Sequence, residues 1–307
     1  MYKKFIAFLL TTLSLASPLA AYQTFPTELT VTERWLSFCL TFDIRTDQEY
    51  LGTVHRKFFS WTPEYHLLDP QGEMLAVAKM RFFNRATIFD IKDFNQVPLG
   101  VVKEEESWLF PTFTIISPAY QILGEAVMNF WGTKFTINDP IDNHIIATIS
   151  RPFWRLKSDW KIEITDLDKI SVQCIHPHLL MTVAAFQVDR EYWNRYSDDI
   201  EIKGFYKYGD LESSSSAQHF AEKIKSRFQS ELANYQGHFD ESRVTKEDFE
   251  FIESIQTKAL TPSLTLSSET DLESVFTQLF SLFSSEELSE SQKAALYVML
   301  ERVLNRV

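Results

Sequence analysis

Between Trp35 and Val172 the chain alternates short apolar runs with clusters of turn-forming residues, and the alternation repeats. "EYLGTVHRKFF" (49–59), "EMLAVAKMRFF" (73–83), "VPLGVVKEEES" (97–107), "QILGEAVMNFW" (121–131) and "HIIATISRPFW" (144–154) align on one another. Leu51, Leu75, Leu99 and Leu123 stand 24 residues apart, and Ile146 and Ile170 continue the series with one slip. A small residue follows each: Gly52, Ala76, Gly100, Gly124, Ala147 and, last, Ser171. A second strand-length run precedes each of them, from "LSFCLTFDI" through "EYHLLD", "ATIFDIKD", "TFTIIS" and "KFTIND" to "WKIEITD". "RTDQ", "DPQG", "DFNQVP", "SPAYQ", "DPIDN" and "DLDK" separate the halves, with Asp, Asn, Pro and Gly supplying turn chemistry. Each unit predicts a β-hairpin, and six units predict about twelve antiparallel strands.

A period of 24 also falls in the range of leucine-rich repeats. The units lack a repeated Asn or Cys and a Leu-x-x-Leu-x-Leu ladder, so a meander fits them better. What the meander closes around is indicated by "HPHLLMTVAAFQVDREYWNRY" (176–196). From Leu179 to Val188 only Thr182 and Gln187 interrupt the apolar residues, so a helix here has no polar face. Twelve strands closed into a barrel leave a bore wider than side chains alone can fill. A helix about 10–12 Å across fills it. Leu179, Leu180, Met181, Val183, Phe186 and Val188 would then meet barrel wall in every direction. Pro177 suits the first helical turn. The polar residues from Asp189 onward mark where the helix leaves the bore.

The expected fold is therefore mainly β: a closed, roughly twelve-stranded antiparallel barrel around a central hydrophobic helix, followed by an α-helical C-terminal region. In this it resembles the Tubby C-terminal-like superfamily, which includes Tubby proteins, phospholipid scramblases and LURP-one-related proteins. "YHLLDPQGEMLAVAKMRFFNRATIFDI" resembles the recurrent strand–turn–strand pattern of the LURP-one-related and scramblase branch. "DLDKISVQCIHPHLLMTVAAFQVD" resembles its final strand and central helix, with Asp189 closing the helix. The resemblance covers residues 33–200, with the central helix at 177–194. It implies a non-enzymatic module that binds a phospholipid or membrane surface. His176-Pro177-His178 stands where scramblases carry further calcium-linked acids, and the scramblases' Pro-rich and Cys-rich segments are absent.

The remaining segments have other signatures. Lys3, Lys4, the apolar stretch Phe5–Leu15 and the small residues up to Ala21 read as a signal peptide over residues 1–21. The expected location is periplasmic or secreted. Loss of Lys3 and Lys4 takes the net charge from −12 to about −14, against a general nucleic-acid binder. "LESSSSAQ" (211–218) reads as a linker, and 219–307 as a helical region. One stripe is Phe220, Ile224, Phe228, Leu232 and Tyr235; a second is Phe249, Ile252 and Ile255. Thr270 with Glu273 and Ser284 with Glu287 suggest capping boxes for two more helices. The dense apolar side chains at Phe276, Phe280 and Phe283 read as internal packing; the alternative is a scaffold whose tail recruits a protein.

Candidate chemistry is sparse. Arg56, Lys57, Lys79, Arg81, Arg85, Arg151, Arg155 and Lys157 follow the second strands and, by the regularity of the repeat, gather at one rim. Phe58-Phe59, Phe82-Phe83, Phe130-Trp131 and Phe153-Trp154 accompany them, a mixture suited to anionic lipid head groups at an interface. Glu104, Glu105 and Glu106 interrupt that rim. Cys39 and Cys174 either form one disulfide or remain two buried thiols. His144, His176 and His178, with Asp139, Asp142, Asp166 and Asp168, read as capping and turn residues in preference to metal ligands, and no cofactor is expected. No nucleophile elbow, zinc-protease motif, P-loop or dinucleotide fingerprint occurs, so an enzyme is not the expectation.

Overall fold

The computed structural model describes residues 26–34, 40–57, 60, 62–81, 87–105, 111–153, 159–172, 175–197, 215–259 and 269–304. The signal segment 1–21, Cys39, Cys174, Arg85, Arg155 and Lys157 lie outside the described residues.

Twelve strands form a closed antiparallel barrel. They are β1 (Glu28–Glu33), β2 (Thr41–Arg45), β3 (Tyr50–Arg56), β4 (Glu64–Leu68), β5 (Met74–Met80), β6 (Ile88–Asp93), β7 (Pro98–Glu105), β8 (Thr112–Ile116), β9 (Ile122–Met128), β10 (Lys134–Asn138), β11 (Ile145–Ser150) and β12 (Asp159–Ile164). Neighbours in sequence are neighbours in the barrel, and β1 closes it against β12 with Val31 opposite Trp160. Closure removes the exposed edges that an open sheet would have to protect.

The count of twelve agrees with the sequence, but one member differs. Residues 167–172, expected as the turn "DLDK" leading into a last strand, form a short helix α1 (Leu167–Val172). The Asp166 side chain accepts the Lys169 backbone N–H at 2.8 Å, and the Ile170 N–H reaches the Asp166 carbonyl at 3.2 Å. That capping diverts the chain from the sheet. The missing strand is supplied by β1, which begins ahead of the expected boundary at residue 33.

The 24-residue repeat has a structural cause. In the five hairpins from β2 to β11 the register slips by one residue at the same place. The skipped residues are Leu51, Leu75, Leu99, Leu123 and Ile146, the repeated aliphatic positions themselves. Each is a β-bulge, which bends and twists its hairpin enough for the sheet to close. The small residue after each bulge faces a large one across the strand pair: Gly52 opposite Ile44, Ala76 opposite Leu67, Gly100 opposite Ile91, Gly124 opposite Ile115, Ala147 opposite Ile137. A second layer repeats the rule with aromatics. Phe42, Tyr65, Phe89, Phe113, Phe135 and Trp160 are all fully buried, opposite Val54, Ala78, Val102, Ala126, Ile149 and Val31. A large residue against a smaller one at each pair fills the wall and leaves an axial channel.

Helix α2 (Pro177–Ser197) occupies that channel. Leu179, Leu180, Met181, Val183, Ala184, Ala185, Phe186 and Val188 are all buried, and so are the two polar interruptions Thr182 and Gln187. The Phe186 ring lies 4.8 Å from Phe89 on β6 and 5.8 Å from Phe113 on β8. At the other end a Cβ on Gly100 would stand 3.1 Å from a Leu179 methyl. The helix also meets β1 and β12, across the barrel from β7. Thr182 satisfies its hydroxyl by donating to the His178 carbonyl at 2.7 Å. The helix enters beside the hairpin turns and leaves at the opposite rim, three residues beyond the expected 194.

The C-terminal region holds four helices among the described residues: α3 (Ser215–Ala233), α4 (Lys246–Ala259), α5 (Glu269–Ser281) and α6 (Glu290–Leu304). Helix α3 begins inside the expected 211–218 linker, since Ser and Ala are tolerated in a helix once its apolar stripe is packed. Helix α5 already includes Thr270, and α6 starts beyond Ser284, so neither expected capping box forms as written. The box at α6 pairs Ser289 with Gln292 through contacts of 2.9 and 3.2 Å, and one at α4 pairs Thr245 with Asp248. Ile224, Phe228, Ile252, Phe276, Phe280, Phe283, Leu296 and Leu300 form a separate buried core. Phe276 and Phe280 stack on Phe228 at 4.6 and 5.5 Å.

Candidate functional site

Strand polarity fixes which side chains share an end. Odd-numbered strands run from the hairpin turns toward the far rim, so the exits of β3, β5 and β11 bring Arg56, Lys57, Lys79, Arg81 and Arg151 to one rim. The sequence placed these residues together, and the topology does so. What the sequence did not reveal is how they are engaged, and the rim divides into two sectors.

In the β3–β6 sector the cations surround carboxylates. Glu64, buried on the outer wall at the start of β4, takes Lys57 Nζ at 3.0 Å, Lys79 Nζ at 3.4 Å and His66 Nε2 at 2.8 Å. Burial pushes the Glu64 carboxyl up; hydrogen bonds from His66 and Lys57, with the charges of Lys57 and Lys79, outweigh it and hold it down at about 2. Arg81 grips Asp90 with a two-pronged contact of 2.8 and 2.7 Å, which raises the Arg81 pKa. Lys57 and Lys79 keep 46% and 61% of their side chains exposed, so their charge still faces solvent. Arg56, Lys57, Lys79 and Arg81 outnumber Glu64 and Asp90, leaving this sector locally positive on an acidic protein.

The β9–β12 sector is covered. Phe130, Trp131 and Phe153, expected as interfacial aromatics, are buried under the C-terminal helices. Phe130 packs on Phe276 at 5.3 Å and Phe153 on Phe249 at 5.2 Å. Arg302 donates to the Phe153 carbonyl at 2.6 Å and lies 4.3 Å over its ring. Arg151 is stacked 4.7 Å from the Trp160 ring and donates to the Gly132 carbonyl at 3.2 Å. The remaining expected aromatics, Phe58, Phe59, Phe82, Phe83 and Trp154, lie outside the described residues.

At the opposite end the acidic turns are internally satisfied. The Lys169 ammonium lies 2.5 Å from Asp139 and 2.7 Å from Asp142, between the carboxylates a divalent cation would use. These bonds raise the Lys169 pKa and lower those of both aspartates. Asp166 is taken by His144 at 3.3 Å and by the α1 cap.

His176 and His178 flank the start of α2 with rings 4.4 Å apart. The His178 backbone N–H donates to His176 Nδ1 at 3.3 Å, so His176 caps the central helix with a ring nitrogen that must be unprotonated. Burial lowers His176 to about 4, against the pull of Asp93, and burial together with His176 lowers His178 to about 3. Both folded values lie below the ordinary 6.5, so the unfolded chain takes up protons first as pH falls. Stability is expected to be whole above pH ~6.5 and to decline from there toward pH ~4. Above pH ~5 the Glu64 contribution is intact, because its unfolded value is 4.5. Melting temperatures at pH 7 and pH 5 should therefore differ for the parent and converge in a His176→Gln/His178→Gln variant.

Residues 27–173 match the family model described as LURP-one-related. A protein of Arabidopsis thaliana solved by X-ray crystallography is similar at 11% identity over 54% of this chain and 93% of its own, with a TM-score of 0.39. No curated protein matches the chain. The match spans all twelve strands and α1 and stops just short of the helix that fills the barrel. Residues 27–173, a little under half of the chain, thus match the LURP-one-related family, and they fold as a closed twelve-stranded barrel.

Proposed function

We propose that this protein is an exported, non-enzymatic binding module whose barrel engages an anionic phospholipid surface through the β3–β6 sector of its rim. One observation carries the reading: three cations meet two carboxylates at one lip of the barrel, and Lys57 and Lys79 remain half-exposed around a shared Glu64. Glu64 holds both ammonium groups in place, so their ordering is already complete before a phosphate arrives. The covered sector supports a division of labour in which the helical region closes one half of the rim and leaves the other for the ligand. A tail that recruits a protein is the second reading, and it draws on Phe251, exposed on α4, since Phe276, Phe280 and Phe283 are spent on internal packing.

Flotation with phosphatidylglycerol-containing vesicles at low salt tests the first reading. The parent chain should float, and Lys57→Glu/Lys79→Glu should remain at the bottom while still melting cooperatively, at a lower temperature because the buried Glu64 loses both ammonium partners. A parent that fails to float, or a charge-reversed variant that floats equally, removes it.

A further inference from the structure

The other end of the barrel presents a different surface. Ten of the eleven large apolar residues exposed among the described residues lie at the hairpin-turn end; the eleventh is Phe251. Every one of the five hairpins between β2 and β11 contributes, and so does α1. The most prominent are Phe94 at 63% exposure, Tyr120 at 81% and Ile141 at 87%, with Val97, Ile122 and Ile145 beside them. Single exposed apolar residues are ordinary, but a ring of them on successive turns is not.

The turns are built to hold these tips out. Three turns from β4 to β9 have the same closing bonds, as in Ser117 N–H to the Gln121 carbonyl at 2.8 Å and Tyr120 N–H to the Ser117 carbonyl at 2.9 Å, and the β10–β11 turn closes in the same way with one residue more. The equivalent left-handed position is Gly72, Gln96, Tyr120 and Asn143. Glycine or asparagine is the ordinary occupant of such a position, and Tyr120 adopts φ 63° there with its ring in solvent. A bulky residue in a strained backbone, gaining no burial, is explained by something outside the chain.

Charge indicates what that something is. Segments 46–49, 69–73, 93–97, 117–121, 139–144 and 165–169 hold nine carboxylates and one lysine, Lys169, which Asp139 and Asp142 already take up. An anionic membrane would be repelled by this end. An apolar ring set among acids complements apolar residues flanked by Lys and Arg.

We propose that the hairpin-turn end is a docking surface for a basic, amphipathic polypeptide segment of a partner protein. The ring surrounds the opposite end of the bore from Lys57 and Lys79, although Tyr120 lies within electrostatic reach of Arg81. The probe is a fluorescent amphipathic Leu/Lys peptide, compared with its Leu/Glu counterpart, on the full chain at ~0.15 M salt, where exposed charges alone are largely screened. The parent should bind the Leu/Lys peptide and not the Leu/Glu one. Phe94→Ser/Ile141→Ser, which changes no charge, should weaken binding at least ~tenfold at an unchanged melting temperature. Tyr120→Gly should weaken binding while raising the melting temperature, an outcome opposite to simple damage. Lys57→Ala/Lys79→Ala should leave the affinity unaltered, which keeps this result independent of the lipid reading. The proposal is overturned if the parent binds neither peptide or both alike. It is equally overturned if the uncharged variants bind as the parent does, or if the apolar tips drive binding to neutral or anionic vesicles instead.

Discussion

Ala185→Asp is expected to abolish folding. Ala185 is fully buried in the helix that fills the barrel, between Ala184 and Phe186, which are equally buried. A carboxylate there would find wall on all sides and no water. An unpaired buried charge costs several kcal/mol, and overpacking adds ~1–3 kcal/mol, against a typical net stability of ~5–15 kcal/mol. The purified variant should show no cooperative melt by circular dichroism and should elute as an expanded or aggregated species. The same change at Ala233, exposed at the end of α3, is the control and should melt close to the parent. A cooperative, parent-like melt for Ala185→Asp would contradict the threaded barrel.

Gly52→Ala should be the most damaging single-methyl addition in the wall. Gly52 has φ 136°, and an added Cβ would stand 2.0 Å from the Leu68 carbonyl oxygen on the neighbouring strand. Backbone cannot yield as a side-chain tip does, so the β3–β4 pairing beside the bulge must open. Gly72→Ala supplies the contrast. Gly72 also has a positive φ, 87°, but an added Cβ meets nothing within 4 Å. There the cost is conformational alone, ~1 kcal/mol. For Gly52→Ala a loss of at least ~3 kcal/mol is expected, in the class of severe packing and strain defects. Urea midpoints measure both. Equal losses at the two glycines would mean that close approach at the bulge is not what the repeated small residue serves.

These two substitutions also mark how far the sequence could be read. The leucine series and its small followers are visible as a repeat, and the run at 179–188, apolar but for Thr182 and Gln187, requires a bore. The physical role of the leucines was not visible, because a bulge is a property of register and register appears only when strands pair. The aromatic layer was legible and overlooked: Phe42, Tyr65, Phe89, Phe113, Phe135 and Trp160 recur once per unit, one turn of the pattern after another. β1 escaped because "ELTVTE" stands outside the hairpin repeat and turns only Leu29 and Val31 inward. Ile170 continues the aliphatic series in spacing as its sixth member, but Asp166 captures the Lys169 amide and starts a helix.

The rim shows the same limit in chemical form. Its cations could be assembled from strand polarity, whereas their partners depend on cross-strand register: Glu64 lies directly opposite Lys79, and Arg81 reaches back to Asp90. The burial of Phe130 and Phe153 required knowing that α5 and α6 return to the barrel, a contact between residues more than a hundred positions apart, as in Arg302 on Phe153. The apolar ring at the turns was hidden for another reason. Ile122 and Ile145 look like the first residues of buried strands, and only the bulge geometry that follows them decides that they face water.

Helix α2 runs inside the closed sheet, and native-state hydrogen exchange of its backbone amides tests that placement most directly. Amides from Leu180 to Val188 should exchange only when the whole barrel unfolds, with protection equal to that of Val54, Val102 and Ile149 in the wall. Exchange of that segment through local fraying, at rates like those of a solvent-facing helix and well ahead of the strands, would contradict it.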